Sequence, residues 1–278
     1  MSRTTPRVAV VTGAAREGGI GRAIAARLLR DGCRVMISDL GQPMESHPEY
    51  QASGGAELAQ AVAALEPLGD VVSFPCDVRN AIQVEELLDR TVDVFGSIDV
   101  MVNNAGIAVG LAPVVEIADA DWQVNLEVMA TGVFLCSRGA ARRMIDQGRG
   151  GRIITIASQA GKVGMARMGA YCAAKFAAVG LTQVMALELG EFNITVNAVC
   201  PGTVMTPLLG VKGGLFDTYT AMTGLSREEY EHRLKRTIPV RRFETPEDVA
   251  ASVAFLASED AAYITGEALN VNGGQLMD

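Results

Sequence analysis

The stretch from Arg7 to Asp39 constrains the fold more than any other part of the chain. A short apolar run, Arg7–Thr12 (RVAVVT), enters a turn crowded with glycine, Gly13-Ala14-Ala15-Arg16-Glu17-Gly18-Gly19-Ile20-Gly21. A helical pattern follows to Arg30, with Ile20, Ala23, Ile24 and Leu28 on one face and Asp31-Gly32 closing it. The next apolar run, Arg34–Asp39 (RVMISD), ends in an acid eighteen residues after Gly21. Glycines in such a turn let the backbone approach a pyrophosphate, and the helix behind them offers unpaired N–H groups and partial positive charge. An acid at the end of the second strand can bond both ribose hydroxyls of an adenosine and repel a 2′-phosphate, which points to NAD rather than NADP. As plain structure, the same residues would be a tight loop and a helix-capping carboxylate.

The rhythm continues. A helix is expected over Ala56–Leu65, a strand over Val71–Cys76 followed by Asp77-Val78, a helix over Ala81–Phe95 and a strand over Ile98–Val102, which ends in Asn103-Asn104-Ala105-Gly106. Strands alternating with helices require parallel strands and right-handed crossovers, hence one α/β domain spanning residues 1–278 with a doubly wound parallel sheet and helices on both faces. Ligands of such sheets lie beyond the carboxyl ends of the strands, so Gly13, Asp39, Asp77 and Asn103 share one edge, Asn103 as contact or as support. The polar segment Gly41–Gly54 reads as an exposed insertion near the adenine end.

Composition narrows the chemistry. A net charge of −8 argues against nucleic acid as the main partner. No signal-peptide pattern and no apolar run of membrane-spanning length is evident, so a cytoplasmic protein with no membrane partner is expected. Five cysteines form no C-x-x-C pair and read as buried thiols. The two histidines, His47 and His232, stand in polar surroundings, which leaves neither a metal site nor a Ser-His-Asp triad in view.

Tyr171-Cys172-Ala173-Ala174-Lys175 supplies other groups. Residues four apart on a helix are neighbours, so the Lys175 charge can favour ionisation of the Tyr171 phenol, whose ordinary pKa of about 10 makes it a poor base. A solvated helix face would give the same spacing.

Taken together, the turn Thr12–Gly21, Asp39, Asp77-Val78, Asn103–Gly106, Ser158, the Tyr171–Lys175 pentad and Pro201-Gly202-Thr203-Val204-Met205-Thr206 resemble the short-chain dehydrogenase/reductase family, from about Arg7 to Gly274. The resemblance implies a Rossmann-type domain, a bound nicotinamide cofactor, and reversible hydride transfer between that cofactor and an alcohol or ketone. It makes Tyr171 the acid/base and gives Lys175 two tasks, lowering the Tyr171 pKa and holding the nicotinamide ribose. Ser158, thirteen residues before Tyr171 at the end of the strand Arg152–Ala157, would steady the substrate oxygen. The implied cofactor contacts are Gly13, Arg16, Gly19, Ile20 and Gly21 in the turn, Asp39, Asp77 and Val78, then Asn104, Ala105 and Gly106, then Tyr171, Lys175, Pro201, Gly202, Val204 and Thr206.

Two departures stand out. Five residues separate Gly13 from Gly19, two more than the family's turn, so either Gly18 or Gly19 could take the middle role. Where the family has an asparagine seven residues after a tryptophan, this chain has Met129, counting from Trp122. In the family that asparagine supports a water linking the lysine to solvent, and a thioether cannot replace it. Asn125, four residues earlier, would lie on the same face of a continuous helix and either compensates or is an ordinary polar residue.

Residues 207–238 leave the βα rhythm and read as a substrate-side lid or an oligomer contact, with a charged helix over Ser226–Arg236. The region is similar to that of polyol, sugar and acetoin dehydrogenases, which implies a small hydroxylated substrate. Gly164, Met165, Ala166 and Met168 pull instead toward a less polar ketone. The resemblance also implies a dimer or homotetramer, compatible with the apolar helix Phe176–Leu187. A rival reading, motivated by Met129, is a dinucleotide sensor or scaffold that has lost catalysis.

Overall fold

Strands buried on both faces must be apolar on both, and the short runs of this chain are. The computed structural model describes residues 5–42, 44, 47, 55–210 and 215–277. Seven parallel strands form one sheet: β1 (Val8–Thr12), β2 (Arg34–Asp39), β3 (Val71–Pro75), β4 (Val100–Asn103), β5 (Gly151–Ile156), β6 (Ile194–Pro201) and β7 (Ala268–Val271). Their spatial order is β3-β2-β1-β4-β5-β6-β7, so the chain winds outward from β1 to β3 and then returns to continue on the other side of β1 at β4. The crevice between β1 and β4 is therefore the topological switch point at which such sheets bind ligands.

Alternation along each strand assigns the two faces. Val8 and Val10 pack, with Met101, Ile153 and Val196, against α3 (Ala81–Phe95), α5 (Gly132–Gln147) and α6 (Gly169–Leu189). Ala9 and Val11 pack, with Val35, Val102 and Ile154, against α1 (Ile20–Arg30), α2 (Gly55–Leu65) and α9 (Pro246–Ala257). Ile24 and Leu28 of α1 are buried as the helical spacing predicts, each contributing about 1.5–3 kcal/mol. Capping fixes the helix starts. Asn80 accepts from the N–H groups of Ile82 and Gln83 at the head of α3, and Thr245 with Asp248 forms a capping box, with Pro246 in the first turn, on α9.

The expected elements up to Phe95 are present within a residue or so at their ends, and the fourth strand begins at Val100 rather than Ile98. Most of the Gly41–Gly54 insertion lies outside the described residues, but Met44 and His47 are buried rather than exposed. His47 Nε2 lies 2.8 Å from Asp121 Oδ1 on α4 (Asp119–Leu126), so its surroundings are polar as expected but lie inside the fold. The helix carrying Met129 is not a continuous α-helix: a π-helical turn, Glu127–Thr131, joins α4 to α5. The apolar run Phe176–Leu187 belongs to α6, and the segment 169–192 is long and apolar enough to cross a membrane by length and composition. It packs against β6 and carries the buried Lys175, as a core helix does.

The substrate-side segment is helical. α7 (Leu215–Thr223) and α8 (Arg227–Thr237) are joined by an aromatic cluster in which Phe216 meets Tyr230 and Phe243 edge-on, at 6.0 and 6.4 Å, and Tyr219 stacks on Tyr230 at 5.9 Å. Residues 211–214 of the expected lid lie outside the described residues.

Candidate active site

The turn after β1 is shaped by exclusion. At Gly13, whose φ is +65°, an added Cβ would lie 2.7 Å from the Ala105 Cα, and at Gly21 it would lie 2.4 Å from the Gly13 carbonyl oxygen. Asn104 clamps this crossing: its Nδ2 donates to the carbonyl oxygens of Thr12 and Gly13, both at 2.9 Å. The backbone N–H groups of Asn104 and Ala105 donate in turn to Thr12 Oγ1 at 3.1 Å. The glycine turn and the Asn103–Gly106 run are thus one brace across the switch point. Of the two glycines in the lengthened turn, Gly18 takes the left-handed φ of +67°, while Gly19 stands at the N-cap of α1 and lines the cavity. No side chain caps α1, which leaves its first N–H groups facing a ligand site.

A cavity of about 260 Å³ opens along this edge. Every site residue named from sequence lines it except Gly21, which lies beneath Gly13. Asn103 faces the other way; its Nδ2 donates to Ser137 Oγ at 2.8 Å and to Thr155 Oγ1 at 3.2 Å, so its role is support. Asp39 accepts the N–H of Ala15 on Oδ2 (3.0 Å) and that of Leu40 on Oδ1 (2.9 Å). Burial pushes its pKa up, opposed by those two hydrogen bonds and by the nearby Arg16 charge. The Asp77 carboxylate is held by Arg79 through both oxygens, at 2.7–3.0 Å. The turn and Asp39 together fit the pyrophosphate and ribose of a dinucleotide: backbone where no Cβ has room, and a carboxylate at the end of β2.

Farther along the edge, Ser158, Tyr171 and Lys175 converge. Ser158 follows β5 and accepts the Ala160 N–H on Oγ at 3.1 Å, and it stands near enough to the Tyr171 phenol to favour its ionised form. Lys175 Nζ donates to the Ile156 carbonyl at 2.7 Å and stands 5.6 Å from the centre of the Tyr171 ring. The electrostatics run opposite to the expectation from spacing. Burial pushes the Tyr171 phenol up to about 12, only partly offset by Ser158, and burial brings Lys175 down to about 8. The Ile156 carbonyl takes one of the three Lys175 ammonium donors, and Nζ lies over the Tyr171 ring rather than against its hydroxyl.

Met129 lines the same cavity and is 1% exposed. A Cβ on Gly106 would sit 3.6 Å from its sulfur. Asn125 does not replace the missing amide: it is fully buried away from the cavity, with Nδ2 donating to the carbonyls of Asp121 (2.7 Å) and Val109 (3.1 Å). The π turn between the two residues breaks the register that would have placed them on one face. Sequence reasoning also missed Met44 and Arg79 in the lining; neither carries a motif, and Arg79 is drawn in by its ion pair with Asp77. Leu208, from the segment read as a lid, lines the cavity too.

Against known proteins, a family model described as enoyl-(acyl carrier protein) reductase matches residues 13–275. A short-chain dehydrogenase/reductase of Armillaria gallica is 40% identical over 98% of this chain and 97% of its own length. The D-threitol dehydrogenase of Mycolicibacterium smegmatis is 37% identical over 98% of this chain and 94% of its own. The crystal structure of a single-residue variant of the actinorhodin polyketide ketoreductase with NADPH superposes with a TM-score of 0.86 at 36% identity, covering 97% of both chains. Matches of this extent, on a chain with this sheet order and this edge of the sheet, place it by descent: it belongs to the short-chain dehydrogenase/reductase family.

Proposed function

We propose that this protein transfers a hydride reversibly between NAD(H) and a secondary alcohol or ketone. The observation that carries the reading is the convergence of Ser158, Tyr171 and Lys175 in the cavity onto which Gly13 and Asp39 also open. When bound, the nicotinamide supplies the hydride carrier. The chain supplies the rest: Tyr171 exchanges the proton with the substrate oxygen, Ser158 donates to that oxygen as charge develops, and Lys175 orients the ribose. A phenol pushed up to about 12 is protonated at neutral pH, so ketone reduction uses Tyr171 in its favoured state.

Asp39 supports NAD. A second reading, NADP, draws on Arg16, which shares the cavity with Asp39 and lies close enough to act on its ionisation. On the substrate side, Leu111, Met165 and Leu215 pack with Met168, Cys172 and Tyr171, an apolar wall that supports a ketone bearing a hydrocarbon or aryl group. A small polyol, sugar or hydroxyketone is supported by the likeness to D-threitol dehydrogenase. Turnover with NADH and NADPH across aryl ketones, diketones and sugars separates these readings. Tight NADH binding with no turnover across the panel, and no phenotype for Tyr171→Phe, would favour a dinucleotide sensor. Phe134 on α5 and Phe176, Val184 and Leu187 on α6 are exposed, which supports a homo-oligomer, dimer or tetramer, tested by light scattering.

A further inference from the structure

The segment from Pro201 to Thr206 is the wall of the cavity on its nicotinamide side, and an extended segment presents alternate residues to opposite sides. Gly202 and Val204 face the cavity described above, while Thr203 faces a second cavity of about 250 Å³. Glu244 lines that second cavity and touches the wall from behind. Its Oε2 accepts the Gly202 N–H at 2.8 Å, its carbonyl accepts the Met205 N–H at 2.9 Å, and its own N–H donates to the Thr203 carbonyl at 3.1 Å. Glu244 is 8% exposed, and its Oε1 is buried with no hydrogen-bond partner. A carboxyl group left half-satisfied in a core costs stability, and a purely structural brace would be served by the two backbone bonds alone.

We infer that Glu244 is a positioning residue that sets the Pro201–Thr206 wall for cofactor binding through its hydrogen bond to Gly202, a role that rests on the proposed dinucleotide site. Space behind Gly202 is tight, since a Cβ there would lie 2.9 Å from the Asn272 Cβ, and its N–H is shared between the Glu244 carboxyl at 2.8 Å and the Val271 carbonyl at 3.2 Å, so the carboxyl tunes how Gly202 sits against β7. The charged side chains facing Glu244 are Arg242 on its own segment and Asp248 in the first turn of α9; β6 and β7 and the turns after them contribute Thr203, Asn270 and Asn272, which do not titrate. Burial raises the carboxyl from 4.5 to about 8, against the lowering effects of the Gly202 N–H and Arg242. The packed wall therefore holds a proton that a loosened wall, with its carboxyl nearer water, would release. By linkage the packed arrangement is favoured at low pH and loses ground as pH rises from about 4.5 to 8, levelling above that.

The test is the dissociation constant of NADH, followed by its fluorescence at pH 6, 7, 8 and 9, for the full chain, Glu244→Gln and Glu244→Ala, with thermal melts alongside. The alanine variant should bind NADH about tenfold more weakly at pH 6, the worth of one buried hydrogen bond, with KM for NADH raised more than kcat is lowered. The glutamine variant keeps an acceptor for Gly202, so it should rescue binding at pH 6 and lack the weakening from pH 6 to 8. Lys175 also titrates near 8, and only the portion of the pH dependence lost in the glutamine variant belongs to Glu244. Alanine and wild-type affinities within twofold at pH 6, or an unchanged pH step in the glutamine variant, would overturn the assignment. NADH failing to bind the wild-type chain at all would instead overturn the cofactor reading on which it rests.

Discussion

The two walls of the cavity are built on different principles. The cofactor wall, formed by β1, its glycine turn and the Asn103–Gly106 run, is backbone against backbone: Gly13 and Gly21 leave no room for a methyl group, and Asn104 ties two carbonyls and Thr12 into one piece. The proposed substrate wall is packed behind the cavity-lining Tyr171 and is side chain against side chain, with Met165, Met168 and Leu215 filling space that other apolar groups could fill. A wall of backbone tolerates almost no substitution and so can be written as a motif. A wall of packed side chains tolerates volume-conserving exchange, and specificity on that side is free to drift.

At the seam between the walls the largest effect is expected. Tyr171→Phe removes the proposed proton donor while leaving the ring, so turnover should fall by about 10²–10⁴-fold with NADH affinity retained; loss of both together would mean the residue is structural. The pH profile of the unaltered protein sharpens the point. With the phenol held up to about 12, the protonated form needed for ketone reduction prevails through neutral pH, while alcohol oxidation needs the ionised form. The oxidation rate should therefore climb with pH through 8 and 9 while the reduction rate does not climb with it. Parallel profiles for the two directions would show that bound substrate and cofactor reset the tyrosine.

The contrast between the walls is tested by one substitution in each. Gly21→Ala forces a Cβ to 2.4 Å from the Gly13 carbonyl, and a backbone clash of this kind costs about 1–3 kcal/mol. NADH binding should weaken by tenfold or more, read by fluorescence titration. Leu215→Ala should leave NADH binding alone and raise KM for an aryl ketone by several-fold, since a few buried methylenes are worth about 1–3 kcal/mol. Equal effects of the two variants on NADH would erase the distinction between the walls. Asp39→Ala is the intermediate case: losing a charged acceptor for ribose hydroxyls, about 1.5–3 kcal/mol, should shift the NADH-to-NADPH preference by ten- to a hundredfold, measured as the ratio of kcat/KM values. A ratio that stays put would shift the weight to Arg16.

The same division explains what the sequence makes legible. The parallel sheet and its ligand edge follow from the βα rhythm, which sets Gly13, Asp39, Asp77 and Asn103 at strand ends; that Asn104 and not Asn103 turns to the cavity is visible only in the fold. β6 and β7 escape that reading even though left-handed turn residues, Asn193 and Gly266, stand just before Ile194–Pro201 and Ala268–Val271. Met44 and His47 read as part of an exposed insertion because the partner of His47, Asp121, is 74 residues away in sequence. The pairing of Tyr171 with Lys175 is legible as proximity but not as electrostatics: spacing reveals that two groups are neighbours, and only the surrounding burial reveals that the phenol is pushed up and the ammonium down. Likewise the π turn at Glu127–Thr131 leaves no trace in the hydrophobic pattern, and it is what separates Asn125 from the cavity.

That separation sets the smallest of the expected effects and the most discriminating one. With Asn125 donating to Asp121 and Val109, the side chain at the usual asparagine position is the Met129 thioether, which accepts hydrogen bonds weakly and donates none. On the proposed mechanism, proton exchange between Lys175 and solvent would then fall to water held on backbone groups, with those of the π turn, whose hydrogen-bond pattern departs from that of an α-helix, the nearest candidates. Met129→Asn restores a side chain with both donor and acceptor at the cavity wall, at a volume close enough to be accommodated, and should raise turnover a few-fold at low pH where proton delivery is not limited by Tyr171. Asn125→Ala, the natural control on sequence alone, should lower stability and leave the pH dependence of turnover unchanged. A rise from Met129→Asn that Asn125→Ala abolishes would put Asn125 back on the proton path, and no change from Met129→Asn at any pH would show that the lysine reaches solvent by a route to which this helix contributes nothing.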